Sequence, residues 1–264
     1  MELKDVLDKA LVVVEEAAQF IRSQAGKVRE DDIITKSKNS LVSYVDQRAE
    51  EILVSGLGQI LPEAGFITEE ETVEQQPSEY TWIIDPLDGT TNFLQGIPIY
   101  AVSVGLVRQD QILLGIVSDV ENRENYYAWK GGGAWCNGQR IHVSARNNIE
   151  EAIVATGFPY ASRGNLPKLS AAFEFFLNHA SGIRRLGSAA IDLAYVACGR
   201  FDVYYETTLN AWDIAGGIII VEEAGGKTTD FKGEDQMLQN GEVIAAPKSI
   251  HQAVTTHIRT IFES

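Results

Sequence analysis

In the first sixty residues, apolar side chains recur at the spacing of an α-helix. Residues 3–24 form one such pattern, and Gly26 supplies a stop signal. A second pattern covers residues 43–61 and ends before Pro62. The polar stretch at residues 35–40 predicts a mobile loop or a hairpin between two amphipathic helices.

The pattern then changes to short aliphatic and aromatic runs, which are typical of strands. Strands are predicted at residues 80–84, 100–107, 112–117 and 125–129. The glycines at 131–133 and the pair Asn137-Gly138 indicate turns, because these residues accept the positive φ angles of tight hairpins.

The last hundred residues alternate helical and strand patterns. Helices are predicted at residues 167–179, 189–198, 211–224 and 249–262, and strands near residue 183 and at 202–205, 227–229 and 243–245. No internal repeat or Pro/Ser-rich linker interrupts the sequence. The class is therefore mixed α and β.

The amino-acid composition excludes several classes of function. The 264 residues are 45% hydrophobic and carry a formal net charge of −15, so a large core is expected and a basic nucleic-acid-binding stripe is not. Cys136 and Cys198 form no C-x-x-C motif, which suits a reducing cytoplasm. The apolar run at residues 11–14 is too short to span a bilayer, so we expect a soluble, unprocessed protein with neither a membrane nor a nucleic-acid partner.

The most informative segment is residues 82–93, where an apolar run leads directly into two carboxylates. Pro86 disfavours a helical conformation at Asp85, so the strand is expected to end there and to present Asp85 and Asp88 from its carboxyl end. Gly89 permits a close backbone approach to a ligand, and Thr90 can begin a helix whose N–H groups attract an anion.

An ordinary turn would use the same residue types, so this segment alone leaves the choice open. Two other acidic positions favour a site: Glu69, after an apolar segment at 64–67, and Asp213, near the start of an apolar helix. Carboxylates about 4 Å apart repel by about 4 kcal/mol at an effective dielectric of 20, so a convergent set needs a cation. Oxygen ligands without organised His or Cys favour Mg²⁺, Mn²⁺ or Ca²⁺, and Mg²⁺ is the usual partner of phosphates.

At this point a family resemblance emerges. Asp-Pro-Leu-Asp-Gly-Thr-Thr-Asn-Phe at 85–93 and Trp-Asp-Ile-Ala-Gly-Gly at 212–217 are similar to the paired signatures of the inositol monophosphatase family. The likeness covers nearly the whole chain, in the family's order, through the segments at 41–46, 69–70, 156–159, 186–190 and 222–226.

The resemblance implies a layered α-β-α-β-α sandwich and one domain over residues 1–264, with two lobes of roughly 1–145 and 146–264. It implies a Mg²⁺-dependent, lithium-sensitive phosphatase acting on a small polyol phosphate, with inositol 1-phosphate as the first candidate. Two or three Mg²⁺ ions are expected in each active site. A cytoplasmic homodimer is expected by analogy.

The resemblance also assigns roles to individual residues. A first metal matches Glu69, Asp85 and the Leu87 carbonyl, and a second matches Asp85, Asp88 and Asp213. Glu69 also matches a ligand of a third, weaker metal. Glu69, Thr90 and Asp46 match the groups that orient or activate water, and the amides of Gly89 and Thr90 match the phosphate-binding donors. Five residues match substrate contacts: Asp88, Ser188, Ala189 through its backbone, Glu206 and Asp213.

Several alternatives stay open. Glu206 alone could be a solvated acid at a strand end. The substrate could be NADP or another nucleotide 2′-phosphate, histidinol phosphate or fructose 1,6-bisphosphate. A non-catalytic regulatory protein could keep the fold. Haloacid-dehalogenase phosphatases fit poorly, because their paired aspartates are two positions apart and not three.

Overall fold

The computed structural model describes residues 2–29, 31, 33–37, 40–74, 78–158 and 166–263, with the backbone alone for 33–37 and 40–41. The helices are α1 (Leu3–Gln24), α2 (Tyr44–Ile60), α3 (Thr90–Leu94), α4 (Leu166–His179), α5 (Ala189–Ala197), α6 (Ala211–Glu223), α7 (Met237–Asn240) and α8 (Lys248–Glu263). The strands are β1 (Ile33–Ser37), β2 (Ser40–Ser43), β3 (Gly65–Thr68), β4 (Tyr80–Asp88), β5 (Ala101–Arg108), β6 (Gln111–Asp119), β7 (Glu124–Trp129), β8 (Gly133–Cys136), β9 (Gln139–Ile141), β10 (Ile153–Thr156), β11 (Gly182–Arg184), β12 (Val203–Thr207), β13 (Gly226–Thr229) and β14 (Glu242–Pro247).

The two predicted N-terminal helices are confirmed as α1 and α2. Ser43 caps α2: its side chain accepts a hydrogen bond from the Val45 amide at 3.1 Å, and its own amide donates to Asp46 at 2.8 Å. Such a reciprocal capping box satisfies donors that the first helical turn leaves unpaired. The polar stretch before α2 forms the β1–β2 hairpin, although residues 38 and 39 lie outside the described residues.

A seven-stranded sheet follows the order β3-β4-β5-β6-β7-β8-β9. The β3–β4 pair is parallel and the other pairs are antiparallel. All four predicted strands are present here. Strands β8 and β9 were not predicted, because glycines at 131–133 obscure the start of β8; the turn at Asn137 (φ 47°) and Gly138 (φ 80°) was predicted correctly.

A five-stranded sheet has the order β11-β10-β12-β14-β13. Helices α1 and α2 cover the outer face of the first sheet, α5 and α6 lie between the sheets, and α4 and α8 cover the second sheet. The predicted α-β-α-β-α layering is therefore confirmed. Strand β10 was missed, since four residues give too short a pattern.

Close contact between α6 and the first sheet depends on glycine. A Cβ atom at Gly115 of β6 would collide with the backbone oxygen of Gly216 in α6. The missing side chains let this helix lie directly on the sheet, which brings its first turn towards the end of β4. Across the described residues, no helix combines the length and apolar character required to cross a bilayer.

Candidate active site

The end of β4 carries an irregularity that organises the two aspartates. Asp85 pairs with Ser103 and Asp88 pairs with Ala101, so three steps along β4 oppose two steps along β5. One extra residue on β4 is a β-bulge. In a regular strand, residues three apart point to opposite faces, whereas a one-residue bulge returns both side chains to one side.

The prediction that the strand ends at Asp85 was wrong, because β4 continues to Asp88. Proline has a φ value that an extended strand accepts, and at a bulge its missing N–H costs no ladder hydrogen bond. The Leu87 amide donates to Asp85 Oδ1 at 2.9 Å, which stabilises the bulge from within.

Two further acids reach this point from other elements. Glu69 follows β3, and its amide donates to the Ile84 carbonyl at 3.2 Å. Asp213 lies in the first turn of α6 and accepts the Asn210 amide at 2.6 Å. Ser103, the cross-strand partner of Asp85, donates to the Trp212 carbonyl at 3.1 Å and so fixes the start of α6 beside β4.

We call Glu69, Asp85, Asp88 and Asp213 the acidic cluster. Burial raises the pKa of Asp85 well above its usual value, and the other three acids raise it further. Burial and then the charge of Asp88 similarly raise the pKa of Asp213. These shifts show that the predicted acids share one electrostatic environment.

The chemistry of this donor set suits a hard divalent cation. Its members are carboxylates, and the backbone carbonyl of Leu87 lies in the same bulge. Within the described ranges, no three His, Cys, Asp or Glu side chains are already arranged to hold a metal ion. The fit therefore rests on mutual repulsion, which favours a bound cation, and on the oxygen donors, which favour Mg²⁺ over softer metals.

Beside the acidic cluster, Thr90 and Asp46 are in direct contact. The Thr90 hydroxyl lies 3.0 Å from Asp46 Oδ1 and 3.1 Å from the Leu87 carbonyl oxygen, so its one proton can be donated to either acceptor. The other Asp46 oxygen accepts from the amide and hydroxyl of Ser43, each at 2.8 Å. The helix cap thereby fixes the carboxylate that faces Thr90.

Gly89 meets two structural requirements immediately before α3. Its φ of 97° is in the left-handed region, and a Cβ would approach the carbonyl oxygens of Ile99 and Gly187 at 3.0 and 3.3 Å. The next helix turn is tied to the 186–188 loop by Asn92, whose side-chain amide donates to Ile99 and Leu186 carbonyls at 2.8 and 2.9 Å.

The predicted substrate contacts lie where α5 begins. The Ser188 hydroxyl and the Ala190 amide each donate to Asp88 Oδ2 at 2.7 Å. Burial raises the pKa of Asp88 to about 6 against the opposing effect of these bonds. Ala189, predicted to act through its backbone, is the first residue of α5 and is buried next to this contact.

Glu206 on β12 is half-buried and is not a fully solvated strand-end acid. Burial raises its pKa to about 7, although the Tyr204 hydroxyl donates to it at 2.7 Å and opposes the rise. Gly157 makes room for this carboxylate, because a Cβ there would overlap it. Pro159, the last residue of the predicted 156–159 motif, lies outside the described residues.

Three residues of the site were not predicted from the sequence. Asp192 is 1% exposed, and its Oδ1 has no hydrogen-bond partner among the described residues. Burial raises its pKa well above the usual value, and Glu206 and Asp88 raise it further. The exposed Arg185 lowers the pKa of these three acids, so its positive charge faces them.

Glu50 is the third missed residue; it is fully buried and binds the loop that carries Glu69. A sequence signal existed for two of these residues. Asp192 follows Ser188 by four positions, and Glu50 follows Asp46 by four, which is the spacing of side chains on one helix face.

Cavity size does not identify this site. A groove of about 770 Å³ lies elsewhere, between α1 and α2, with Val12, Val13 and Ile52 among its lining residues. It contains no member of the acidic cluster. The convergence of buried acids therefore carries more functional information here than the shape of the surface.

Comparisons with known proteins agree with this geometry. Residues 2–263 match the model described as "Inositol monophosphatase family". The chain is 40% identical to an inositol-1-monophosphatase of Mesorhizobium japonicum, with 92% of each chain covered. It is also 40% identical to a putative Nus factor SuhB of Neisseria meningitidis serogroup B, with 93% and 95% covered. Among solved structures, the extragenic suppressor protein suhB from Bartonella henselae superposes with a TM-score of 0.91 at 35% identity, covering 97% of this chain and 98% of that one.

Proposed function

Since the chain belongs to the inositol monophosphatase family, we propose that it is a Mg²⁺-dependent phosphatase that hydrolyses a small polyol phosphate, with inositol 1-phosphate as the preferred candidate. The observation that carries the proposal is the bulge at the end of β4, which turns Asp85 and Asp88 to one side, next to Asp213 and Glu69. A family relative named inositol-1-monophosphatase supports the substrate class.

In this proposal Asp85, Glu69 and the Leu87 carbonyl would hold a first ion, and Asp85, Asp88 and Asp213 would hold a second. Glu69 would also help to hold a third ion. Divalent cations at such a site stabilise the negative charge that develops on the phosphate and on the leaving oxygen.

Thr90 and Asp46 orient the attacking water. When the Thr90 hydroxyl donates to Asp46 Oδ1, its oxygen keeps lone pairs that can accept a proton of the water. The Gly89 and Thr90 amides bind the phosphate oxygens. The short Ser43–Asp46–Thr90 chain holds the acceptor in place before the substrate arrives.

The alcohol part of the substrate lies towards the second sheet. Glu206 supplies a hydrogen-bond acceptor for hydroxyl groups, while Ser188, the Ala189 backbone, Asp88 and Asp213 complete the contacts. A pocket rich in acceptors suits a polyol, because every hydroxyl group can donate one hydrogen bond.

A panel of phosphate esters with titrated Mg²⁺ tests the proposal. We expect phosphate release from inositol 1-phosphate to exceed release from NADP, histidinol phosphate and fructose 1,6-bisphosphate. Asp85→Asn should abolish it, whereas Asp110→Asn, at an exposed turn, should behave like the parent. A preference for a nucleotide would refute the substrate, and an active Asp85→Asn variant would refute the mechanism.

The proposal has four further features: inhibition by lithium and a homodimer by family analogy, a cytoplasmic location from the cysteine usage, and the absence of a nucleic-acid partner from the net charge of −15. Lithium titration of phosphate release tests the first, and light scattering after gel filtration tests the second. A mass equal to that of a single chain would rule out the dimer.

A regulatory role is the second candidate, because relatives that are 34–40% identical are named Nus factor SuhB or putative Nus factor SuhB. The same phosphate panel separates the two candidates. A parent protein that binds Mg²⁺ but turns over no ester would favour a non-catalytic role.

A further inference from the structure

A buried carboxylate on α2 contacts the loop that carries Glu69. Glu50 has 0% exposure. Its Oε1 accepts the Thr68 hydroxyl at 2.9 Å and the amide and hydroxyl of Thr72, each at 2.7 Å. Its Oε2 accepts the Glu70 amide at 2.8 Å. One side chain thus receives four hydrogen bonds from a five-residue segment.

These four donors are neutral N–H and O–H groups. A carboxylate costs free energy when it leaves water, and hydrogen bonds to its charged form offset that cost. Thr72 is exposed, so solvent could satisfy its amide and hydroxyl, and these two groups do not by themselves require a buried acid. The arrangement points to a requirement for a fixed loop shape.

The segment held by Glu50 surrounds Glu69. Thr68 precedes Glu69 and Glu70 follows it, and both are bound to Glu50. The Glu69 amide itself is bound to Ile84, the residue before Asp85. Glu71 has a φ of 53°, a conformation that non-glycine residues adopt only when neighbouring contacts hold them.

Helix α2 therefore contacts the site at two points. Asp46 and Glu50 are four residues apart on one face of this helix. Asp46 holds Thr90, and Glu50 holds the loop on either side of Glu69. One rigid element thus sets the spacing between the water-orienting pair and a proposed metal ligand.

We infer that Glu50 is a positioning residue that fixes the Glu69 carboxylate for the first Mg²⁺ ion. This inference rests on the proposed function for the identity of the cation. Glu50 itself contacts neither metal nor substrate. Its loss should therefore weaken Mg²⁺ binding.

Calorimetric titration of the substrate-free protein with Mg²⁺ tests the inference without relying on turnover. Glu50→Gln keeps the shape but replaces one acceptor oxygen with an NH₂ group. We expect Mg²⁺ affinity to fall about 10-fold or more, the usual effect of losing a partner of a metal ligand. Glu51→Gln is the matched control, since Glu51 is exposed and paired with Arg48; it should bind Mg²⁺ as the parent does.

A double-mutant cycle separates positioning from general stabilisation. In a Glu69→Gln background, Glu50→Gln should weaken Mg²⁺ binding much less, because the ligand on which it acts is already lost. Equal losses in both backgrounds, or an unchanged affinity in Glu50→Gln, would overturn the inference.

If Glu50→Gln does not fold by circular dichroism, Thr72→Val serves instead, since Thr72 is exposed and the variant removes one donor to Glu50. Weaker Mg²⁺ binding by a folded Thr72→Val supports the inference, and parental binding overturns it. A parent that binds Mg²⁺ without hydrolysing any phosphate refutes the proposed function and leaves the role of Glu50 intact. A parent that binds no Mg²⁺ refutes both.

Discussion

The two sides of the active site balance negative charge in different ways. On the side of the first sheet, the pKa values of Asp85 and Asp213 are raised by burial and by neighbouring acids, so this side favours the approach of a positive charge. On the side of the second sheet, burial raises the pKa of the buried Asp192 and of the half-buried Glu206, but the positive charge of Arg185 opposes both shifts. The first arrangement suits metal binding, and the second suits recognition of a neutral polyol by hydrogen bonds.

The largest effect that we predict lies on the first-sheet side. Thr90→Val removes the hydroxyl that bridges water and Asp46 while keeping the side-chain shape. We expect kcat to fall by about 10²–10⁴-fold, the range for a lost proton-transfer partner, with Mg²⁺ affinity unchanged. Steady-state kinetics and calorimetry measure the two quantities. Thr91→Val, on the exposed side of α3, is the control and should match the parent.

A substitution on the side of the second sheet should instead affect substrate binding. Glu206→Gln should raise KM for inositol 1-phosphate about 10–100-fold, the value of a hydrogen bond to a charged group. KM for p-nitrophenyl phosphate, which has no polyol hydroxyls, should stay within about twofold of the parent on the same grounds. Glu63→Gln is the exposed control. Equal changes for both substrates would remove the distinction between the two sides.

Glu206 should also affect folding stability in a pH-dependent way. The pKa of Glu206 is raised from 4.5 to about 7 by burial, so the folded state binds more protons than the unfolded state within that window. Folding stability should therefore decrease as pH rises from 4.5 to 7. At pH 8, Glu206→Gln should be more stable than the parent by about 3 kcal/mol, and at pH 4.5 the two should be similar.

Denaturant unfolding of the metal-free proteins measures this difference. Glu63→Gln, changed at an exposed position, should show no such pH dependence. A parent and a Glu206→Gln variant of equal stability at pH 8 would mean that Glu206 imposes no cost on the fold.

The smallest expected effect concerns Arg185. Replacing it with Gln removes a positive charge that lowers the pKa of Glu206, so KM should increase at pH 7 and its pH profile should move to higher pH. The change should remain below about fivefold and should shrink with added salt, because Arg185 is exposed and screened. Arg184→Gln is the adjacent exposed control. A salt-independent effect would contradict an electrostatic role.

Local sequence patterns were sufficient for much of the fold. The helical period over residues 3–24 and the capping box at Ser43 and Asp46 depend on near neighbours alone, and both predicted helices are present. The family motifs likewise identified residues 85–93 and 212–217, and the family assignment was confirmed. The short strands β8 and β10 were missed because four residues leave too little periodicity to separate from turns.

The continuation of β4 past Pro86 could not be predicted from neighbouring residues alone. A proline after an aspartate was taken to end the strand, but pairing with β5 continues to Asp88 through a bulge. That pairing involves residues 101–103, so the residues around Pro86 could not reveal it. Glu50 and Asp192 were missed for the same reason: their partners are distant in sequence.

The sequence by itself determined the chemical inventory of the site: paired aspartates after an apolar strand, a glycine at the turn that follows them, and further acids at Glu69 and Asp213. The tertiary structure alone decided that these groups meet, because the bulge in β4 and the close approach of α6 set which way each side chain points. The physical reason is that covalent neighbours specify helix and strand, whereas burial and mutual repulsion of charges arise only when distant segments pack together.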